Sequence, residues 1–373
     1  MSPIYSLWKI MRKITRYYEL LRMTWCNYKV LFHEYKARKF HPQYLNELLS
    51  GKYVLFHPER IMITELGQKN KHKVVAYITL NKMWVPTAGF FALLHKTLCG
   101  LYFADKMGFY PVVANWDACA YEEEEKVNGT KNVFEYYFQP VSRISVSDAL
   151  NSNNVVIPSE ENMNMPFYRY GCEWFHVSDA YIENMGVIFR KYIRRNDRIR
   201  ERMERDMHEV LGNRKSLAIH FRGTDYKINA NGHPVSLELE DYYSYIVQAM
   251  KKYKFEQIFV ATDDSDALKK IKKKFKNIVC YQDTVRTDGN VSVAFLDQGR
   301  KRNSYELGYE VLRDAYTLAA CDGLIAGGSQ VAVGARLIKA STKEKFQYCK
   351  IIEKGINRNQ KDWMKIFYET VQK

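Results

Sequence analysis

A chain of 373 residues, 46% of them hydrophobic, is long for a single core and apolar enough to bury two, which excludes a disordered or low-complexity protein. A formal net charge of +15 favours anionic partners: nucleic acid, an acidic membrane surface or a phosphorylated small molecule. The seven cysteines are widely spaced, with no CxxC and no Cys/His cluster, which argues against structural zinc and fits reduced, buried thiols in a cytosolic chain.

Much of the charge is local. Residues 1–41 hold nine Lys or Arg against two Glu. Within them Ile4, Leu7, Met11, Ile14, Tyr18, Leu21, Trp25, Tyr28, Phe32 and Tyr35 alternate spacings of three and four. That seam predicts a basic amphipathic helix, ended by Pro42. It either packs on protein, its own globule or a second copy, or lies on an anionic membrane surface. Lys9, Arg12, Lys13 and Arg16 interrupt any signal-peptide h-region, and no apolar run reaches the ~18 residues of a membrane span.

Residues 74–80 ("VVAYITL") predict a strand, 90–107 a helix led by Gly89, and 110–116 ("YPVVANW") the next strand. This is a β-loop-α-β unit, in which Gly89 leaves room for a ligand near a helix N-terminus. Glu122 to Glu125 read as a solvated face, and residues 180–211 as charged helices leading into a second domain. That domain alternates strands near 216–221, 257–262, 277–281 and 323–326 with helices near 241–253, 265–275, 304–320 and 330–340. Such alternation predicts a parallel sheet covered on both faces, with its ligand outside the carboxyl ends of the strands.

The candidate site residues fall at three such ends. The first gives His220, Arg222, Thr224 and Asp225; the second Thr262, Asp263 and Asp264; the third Gly327, Gly328, Ser329 and Gln330. Ser329 and Gln330 open a helix, where N–H groups and dipole favour a phosphate, or where Ser329 acts only as a cap. Arg222 offers a bidentate fork to a phosphate, or a salt bridge to a neighbouring acid. Asp263 and Asp264 serve a ribose, a metal or a helix cap. No GxxxxGK[ST], GxGxxG or GxSxG motif is present, which excludes the commonest nucleotide and hydrolase signatures.

In this order and spacing, "HFRGTD", "VATDD" and "RDAYTLAACDGLIAGGSQVAVGAR" resemble the three motifs of the fucosyltransferase superfamily. The pattern is nearest to the α1,6 group, with its H-x-R-R-T-D, A-T-D-D and D…S-S-Q-V. The resemblance covers mainly residues 216–340, with weaker similarity in "GFFALLHKTLCGLYFADKMGFYPVV". It implies an α/β protein of GT-B type, two Rossmann-like domains facing a cleft, preceded here by the amphipathic segment 1–45. The N-terminal acceptor domain would span 46–205 and the donor-nucleotide domain 206–373. It further implies a GDP-fucose donor, no metal or other cofactor, and inverting transfer of fucose to a glycan acceptor. Arg222 would clamp the diphosphate; His220 and Asp314 would contact the guanosine; Ser329 and Gln330 would cradle the β-phosphate; Asp263 and Asp264 would shape the nucleotide end, with Gly89 nearby. The chain departs from the α1,6 pattern at Gly223, where the motif has a second arginine. It departs again at Tyr226, with Lys227 one place later, and at Gly328.

Transfer builds charge on the departing diphosphate, which Arg222 and the N–H groups near Ser329 would stabilise. Asp225 is the first candidate for the base that takes the acceptor proton, with Glu238, Glu240 and His95 behind it. The whole suits a bacterial enzyme of surface-glycan synthesis, cytoplasmic or peripheral on the inner membrane. The competing readings are a transferase of another sugar nucleotide on the same scaffold, and a nucleic-acid or membrane-surface binder without catalysis. Basic charge favours the last, but the aromatic-basic clusters of an RNA-binding module are missing.

Overall fold

The computed structural model describes residues 61–288 and 292–371, apart from the side chains of Asp225, Phe367, Glu369, Thr370 and Val371. The amphipathic helix expected within residues 1–45 lies outside the described residues. In chain order the elements are β1 (Val75–Ile78), α1 (Phe90–Met107), β2 (Tyr110–Val113), α2 (Val133–Tyr137), α3 (Val146–Leu150), β3 (Val155–Val156) and α4 (Glu160–Tyr170). Then come α5 (Asp179–Tyr192), α6 (Asp197–Leu211), β4 (Ser216–Phe221), α7 (Glu240–Tyr253), β5 (Gln257–Thr262), α8 (Ser265–Phe275) and β6 (Val279–Cys280). The last are α9 (Asn303–Ala320), β7 (Gly323–Gly327), α10 (Gln330–Ser341), β8 (Tyr348–Ile352) and α11 (Trp363–Val371).

The chain divides into two compact units. One takes the residues up to Leu80, Lys96–Ala114 and Pro140–Tyr181; the other takes Asn81–His95, Asn115–Gln139 and Ile182–Lys373. This differs from a contiguous division at 205/206, and aromatic packing gives the reason. Phe90, at the head of α1, meets the rings of Trp116, Tyr121 and Tyr137 at centroid distances of 5.6, 5.3 and 4.9 Å. Its amide donates to the Tyr121 hydroxyl at 2.9 Å. Phe91 lies so close to Gly334 on α10 that an added Cβ there would come within 2.1 Å of the ring. Glu123, expected in a solvated run, accepts the Tyr305 N–H at 2.8 Å.

In the first unit β1 is flanked by β2 and β3, all parallel. Val75 and Val112 from this sheet join Ile144 and Ala149 in a small core. Gly100 lets α1 lie close on β1, since a Cβ there would meet Ile78 Cγ2 at 2.6 Å.

The second unit holds a five-stranded sheet in the order β6-β5-β4-β7-β8, every pair parallel. The two-residue period of a strand sorts its side chains to two faces. Leu217, Ile219 and Phe221 of β4, with Ile258 and Val260 of β5, bury against Ile246 of α7 and Ile271 of α8. Ala218, Phe259, Ala261, Leu324 and Ala326 bury on the other face, against Leu211 of α6, Leu318 of α9 and Ala335 of α10. The sheet is therefore covered on both sides. From β4 the chain winds one way through β5 to β6, then returns to the other side of β4 for β7 and β8. The strand order reverses between β4 and β7, the place where open α/β sheets take their ligands.

All six cysteines among the described residues are free thiols. Cys99, Cys119 and Cys321 are buried as expected, whereas Cys349 is exposed. No described helix is long and apolar enough to cross a membrane.

Candidate active site

The carboxyl ends of β4, β5 and β7 lie side by side, because His220 pairs in register with Ala261 on one side and Ala326 on the other. The three polar segments are thereby gathered at one edge of one sheet. Beside them lies a cavity of about 60 Å³, bordered by His220, Arg222, Asp263, Thr284, Glu310 and Asp314.

Asp263 organises the first segment. One carboxylate oxygen accepts the Gly223 N–H at 2.9 Å. The other accepts the Thr224 hydroxyl at 2.7 Å and pairs with the Arg222 guanidinium at 2.8 Å. The structure thus places Arg222 in a salt bridge to an acid of the adjacent strand end. Its side chain keeps 22% of its surface exposed, donates to Ser292 Oγ at 3.3 Å and lies 5.8 Å from the Tyr226 ring.

Asp264 is the N-cap of α8, accepting the N–H groups of Asp266 and Ala267, each at 2.9 Å. Its other oxygen takes Lys227 Nζ at 2.7 Å. Burial alone would raise this carboxyl, but the Lys227 hydrogen bond and the helix amides outweigh it and hold the pKa below the usual carboxylate value. Gly223 has a steric reason: a Cβ there would lie 2.6 Å from Asp264 Cβ and 2.8 Å from the Phe221 ring. Asp225 opens a 3₁₀ turn, Asp225–Ile228, and its side chain lies outside those described. Glu240 is the first residue of α7, and Glu238 donates its backbone N–H to Asp241.

Ser329 caps α10, its Oγ accepting the Ala332 N–H at 3.1 Å. The same oxygen lies 3.2 Å from His220 Nδ1. Gln330 Oε1 is 2.6 Å from Nδ1 of His95, a histidine only 2% exposed. Two imidazoles therefore bracket the head of α10. His95 was expected in an N-terminal domain, but it groups with the second unit through this bond. His220 is buried, which drives its pKa down to about 4; the Asp263 charge pulls up and the Arg222 charge pushes down further. The ring is neutral at pH 7. Gly89 is exposed at the head of α1, and a Cβ there would meet nothing within 4 Å. No neighbour requires a glycine at this position.

Asp314 is the anomaly of the site. Its Oδ1 is buried with no hydrogen-bond partner. Desolvation raises its pKa to about 7 against the pull of Arg313 and Arg286, with Glu310 adding to the rise. Arg313 is held by Asp206 at 2.8 Å. An unpaired buried carboxylate oxygen costs roughly 1–3 kcal/mol or more, and Asp314 is one of the residues that line the cavity.

Glu310 and Thr284 escaped the sequence reading. Glu310 lies one turn before Asp314 on α9, so helical spacing would have paired them. Its carboxylate takes Arg300 at 2.5 Å and the Val285 N–H at 3.1 Å. Thr284 follows β6 in an irregular segment that carries no periodic signal.

No family model matches the sequence, and no curated protein matches it. Among solved structures, the chain is similar to the NodZ α-1,6-fucosyltransferase soaked with GDP-fucose, at 16% identity and a TM-score of 0.43, over 71% of this chain and 92% of that one. It is similar to the fucosyltransferase NodZ from Bradyrhizobium, at 16% identity and a TM-score of 0.42, over 71% and 92%. It is also similar to POFUT1 in complex with GDP-fucose, at 12% identity and a TM-score of 0.43, over 75% and 97%.

Proposed function

We propose that the second unit binds GDP-fucose and that the chain transfers fucose with inversion to a glycan acceptor, by an α1,6-type reaction in bacterial surface-glycan synthesis. One observation carries the reading: three motifs with the fucosyltransferase pattern meet at the strand-order reversal of one parallel sheet, beside a cavity walled by Arg222 and by Asp314, whose Oδ1 is buried without a partner. The GT-B-type organisation, with a donor domain and an acceptor domain, belongs to this reading.

Each group has a chemical task in it. Guanine presents adjacent N–H donors on one edge, and Asp314 Oδ1 is an acceptor without a partner. Arg222, steadied by Asp263, would take a diphosphate oxygen through a guanidinium nitrogen turned from that pair. The N–H groups at the head of α10, a helix of 12 residues, would take the β-phosphate. As the glycosidic bond lengthens, charge passes to this phosphate and the same donors stabilise it more strongly. With the Ser329 hydroxyl donating to His220 Nδ1, the neutral imidazole keeps its proton on Nε2 and acts as a donor. Gln330, its oxygen turned to His95, presents its amide nitrogen elsewhere. The base is assigned to Asp225, from its place two residues after the end of the Arg222–Gly223 step.

A second reading, transfer of a different nucleotide sugar, is favoured by Gly223. Asp264 and Phe221 crowd this position, so the second arginine of the α1,6 pattern has no place here and the diphosphate meets one guanidinium less. Residues 1–41 would supply membrane or self-association, on the cytoplasmic side.

Thermal unfolding with GDP-fucose, GDP-mannose and a UDP-sugar in parallel tests the proposal. Stabilisation by both GDP-sugars, with transfer or hydrolysis of GDP-fucose alone, is the expected result. Stabilisation by the UDP-sugar only, or by none, would overturn it.

A further inference from the structure

Six lysines, Lys269, Lys270, Lys272, Lys273, Lys274 and Lys276, fall within eight consecutive positions on and just after α8, and all are exposed. The opposite side of the helix is apolar: Ala267, Leu268 and Ile271 are buried against β4 and β5. The lysines have few partners of their own. Lys269 pairs with Asp266 at 2.9 Å. Lys272 donates to the Tyr281 hydroxyl at 3.0 Å, and Lys274 lies 4.2 Å over the Tyr243 ring. Among the described residues no carboxylate comes within 4 Å of Lys270, Lys272, Lys273, Lys274 or Lys276.

This surplus exceeds what the fold needs. A helix C-terminus carries roughly half a negative charge, which one or two lysines offset. A face kept polar for solubility mixes the two signs; this one has a single sign, and its like charges repel at the three- and four-residue spacings of one helix. Holding them together costs stability unless a negative counterpart is present.

We propose that this face of α8 docks on an anionic phospholipid surface. Three features favour lipid over nucleic acid. The cluster is all lysine, and no arginine occurs between Arg222 and Arg286; lysines are compact point charges suited to a diffuse field, whereas arginine forks read individual phosphates. The neighbouring Tyr243 and Tyr281 are half-buried and roofed by lysines, so no ring stands open for a base to stack on. The six lysines also lie within roughly 10 Å along the helix axis, on its exposed side, which a planar headgroup layer meets at once. The surface is separate from the carboxyl-end site, and the inference does not depend on the nucleotide sugar.

Co-sedimentation of the full chain with vesicles containing phosphatidylglycerol, against vesicles of phosphatidylcholine alone, tests it. Binding to the anionic vesicles only, weakening as salt rises, is expected. The K270E/K273E/K274E variant should bind at least about tenfold more weakly with an unchanged melting temperature. Equal binding by wild type and variant would overturn the proposal, as would no binding to anionic vesicles. Tighter binding to duplex RNA than to vesicles at equal phosphate would overturn it in favour of nucleic acid.

Discussion

The Asp314 carboxyl makes stability depend on pH in a direction opposite to that of most acids. Its pKa is raised from 3.8 to about 7 by burial. The folded state therefore keeps a proton that the unfolded chain has released, and stability falls as pH rises from about 4 to about 7. A rise of about three units corresponds to a ceiling of about 4 kcal/mol. The residue is partly exposed although Oδ1 is not, and solvent reaching the rest of the side chain lowers the expectation to about 2 kcal/mol. Asp314→Asn removes the ionisation while keeping the shape. Chemical denaturation at pH 5 and pH 8 should show wild type losing about 1 kcal/mol more than the variant over that interval. Parallel losses in the two proteins would refute the burial argument. A ligand arm follows: if ionised Asp314 meets the guanine N–H groups, wild-type affinity for GDP should fall about tenfold per pH unit below 7, and the variant's weaker affinity should be flat.

Arg222→Ala should lower transfer by about 100- to 1,000-fold, the loss typical of one preorganised donor, with the circular dichroism of wild type; near-normal turnover would remove the clamp. Gly223→Ala forces a Cβ against Asp264 and Phe221 and should cost about 1–3 kcal/mol in urea denaturation. Ser329→Ala, which removes the cap of α10, should cost about 1 kcal/mol by the same measurement. His220 titrates near 4 in the fold rather than 6.5, so the unfolded chain takes the proton first and stability drops as pH falls from about 6.5 to 4. The loss approaches roughly 3 kcal/mol, and His220→Gln should flatten it in an acid titration followed by fluorescence.

Local signals carried the second unit well. β4 and β5 occur where short buried runs placed them, and α8 begins at the residue after its Asp264 cap. β8 escaped because Lys350 and the exposed Cys349 break the run "YCKII" on a half-buried edge strand. β3 is two residues long and has no periodicity to read. The grouping of residues 81–95 with the second unit rests on Phe91 against Gly334 and on His95 with Gln330, contacts that no local pattern encodes. In the candidate site, the motifs mark three strand ends that lie side by side but not the division of labour among them. Asp263 and Asp264 looked alike in "TDD", yet one binds the Arg222 segment and the other caps a helix.

The reversal of strand order also has a consequence for synthesis. β4 is the centre of its sheet, with all six residues buried, but its β7 neighbour leaves the ribosome long after β5 and β6. Until then β4 is a mostly apolar strand, SLAIHF, with one unpaired edge, a template for other nascent chains. His95 waits longer still, since its partner Gln330 is 235 positions on, roughly ten to fifty seconds at usual elongation rates. Chains cut short before residue 323 should accumulate in aggregates rather than as smaller soluble domains.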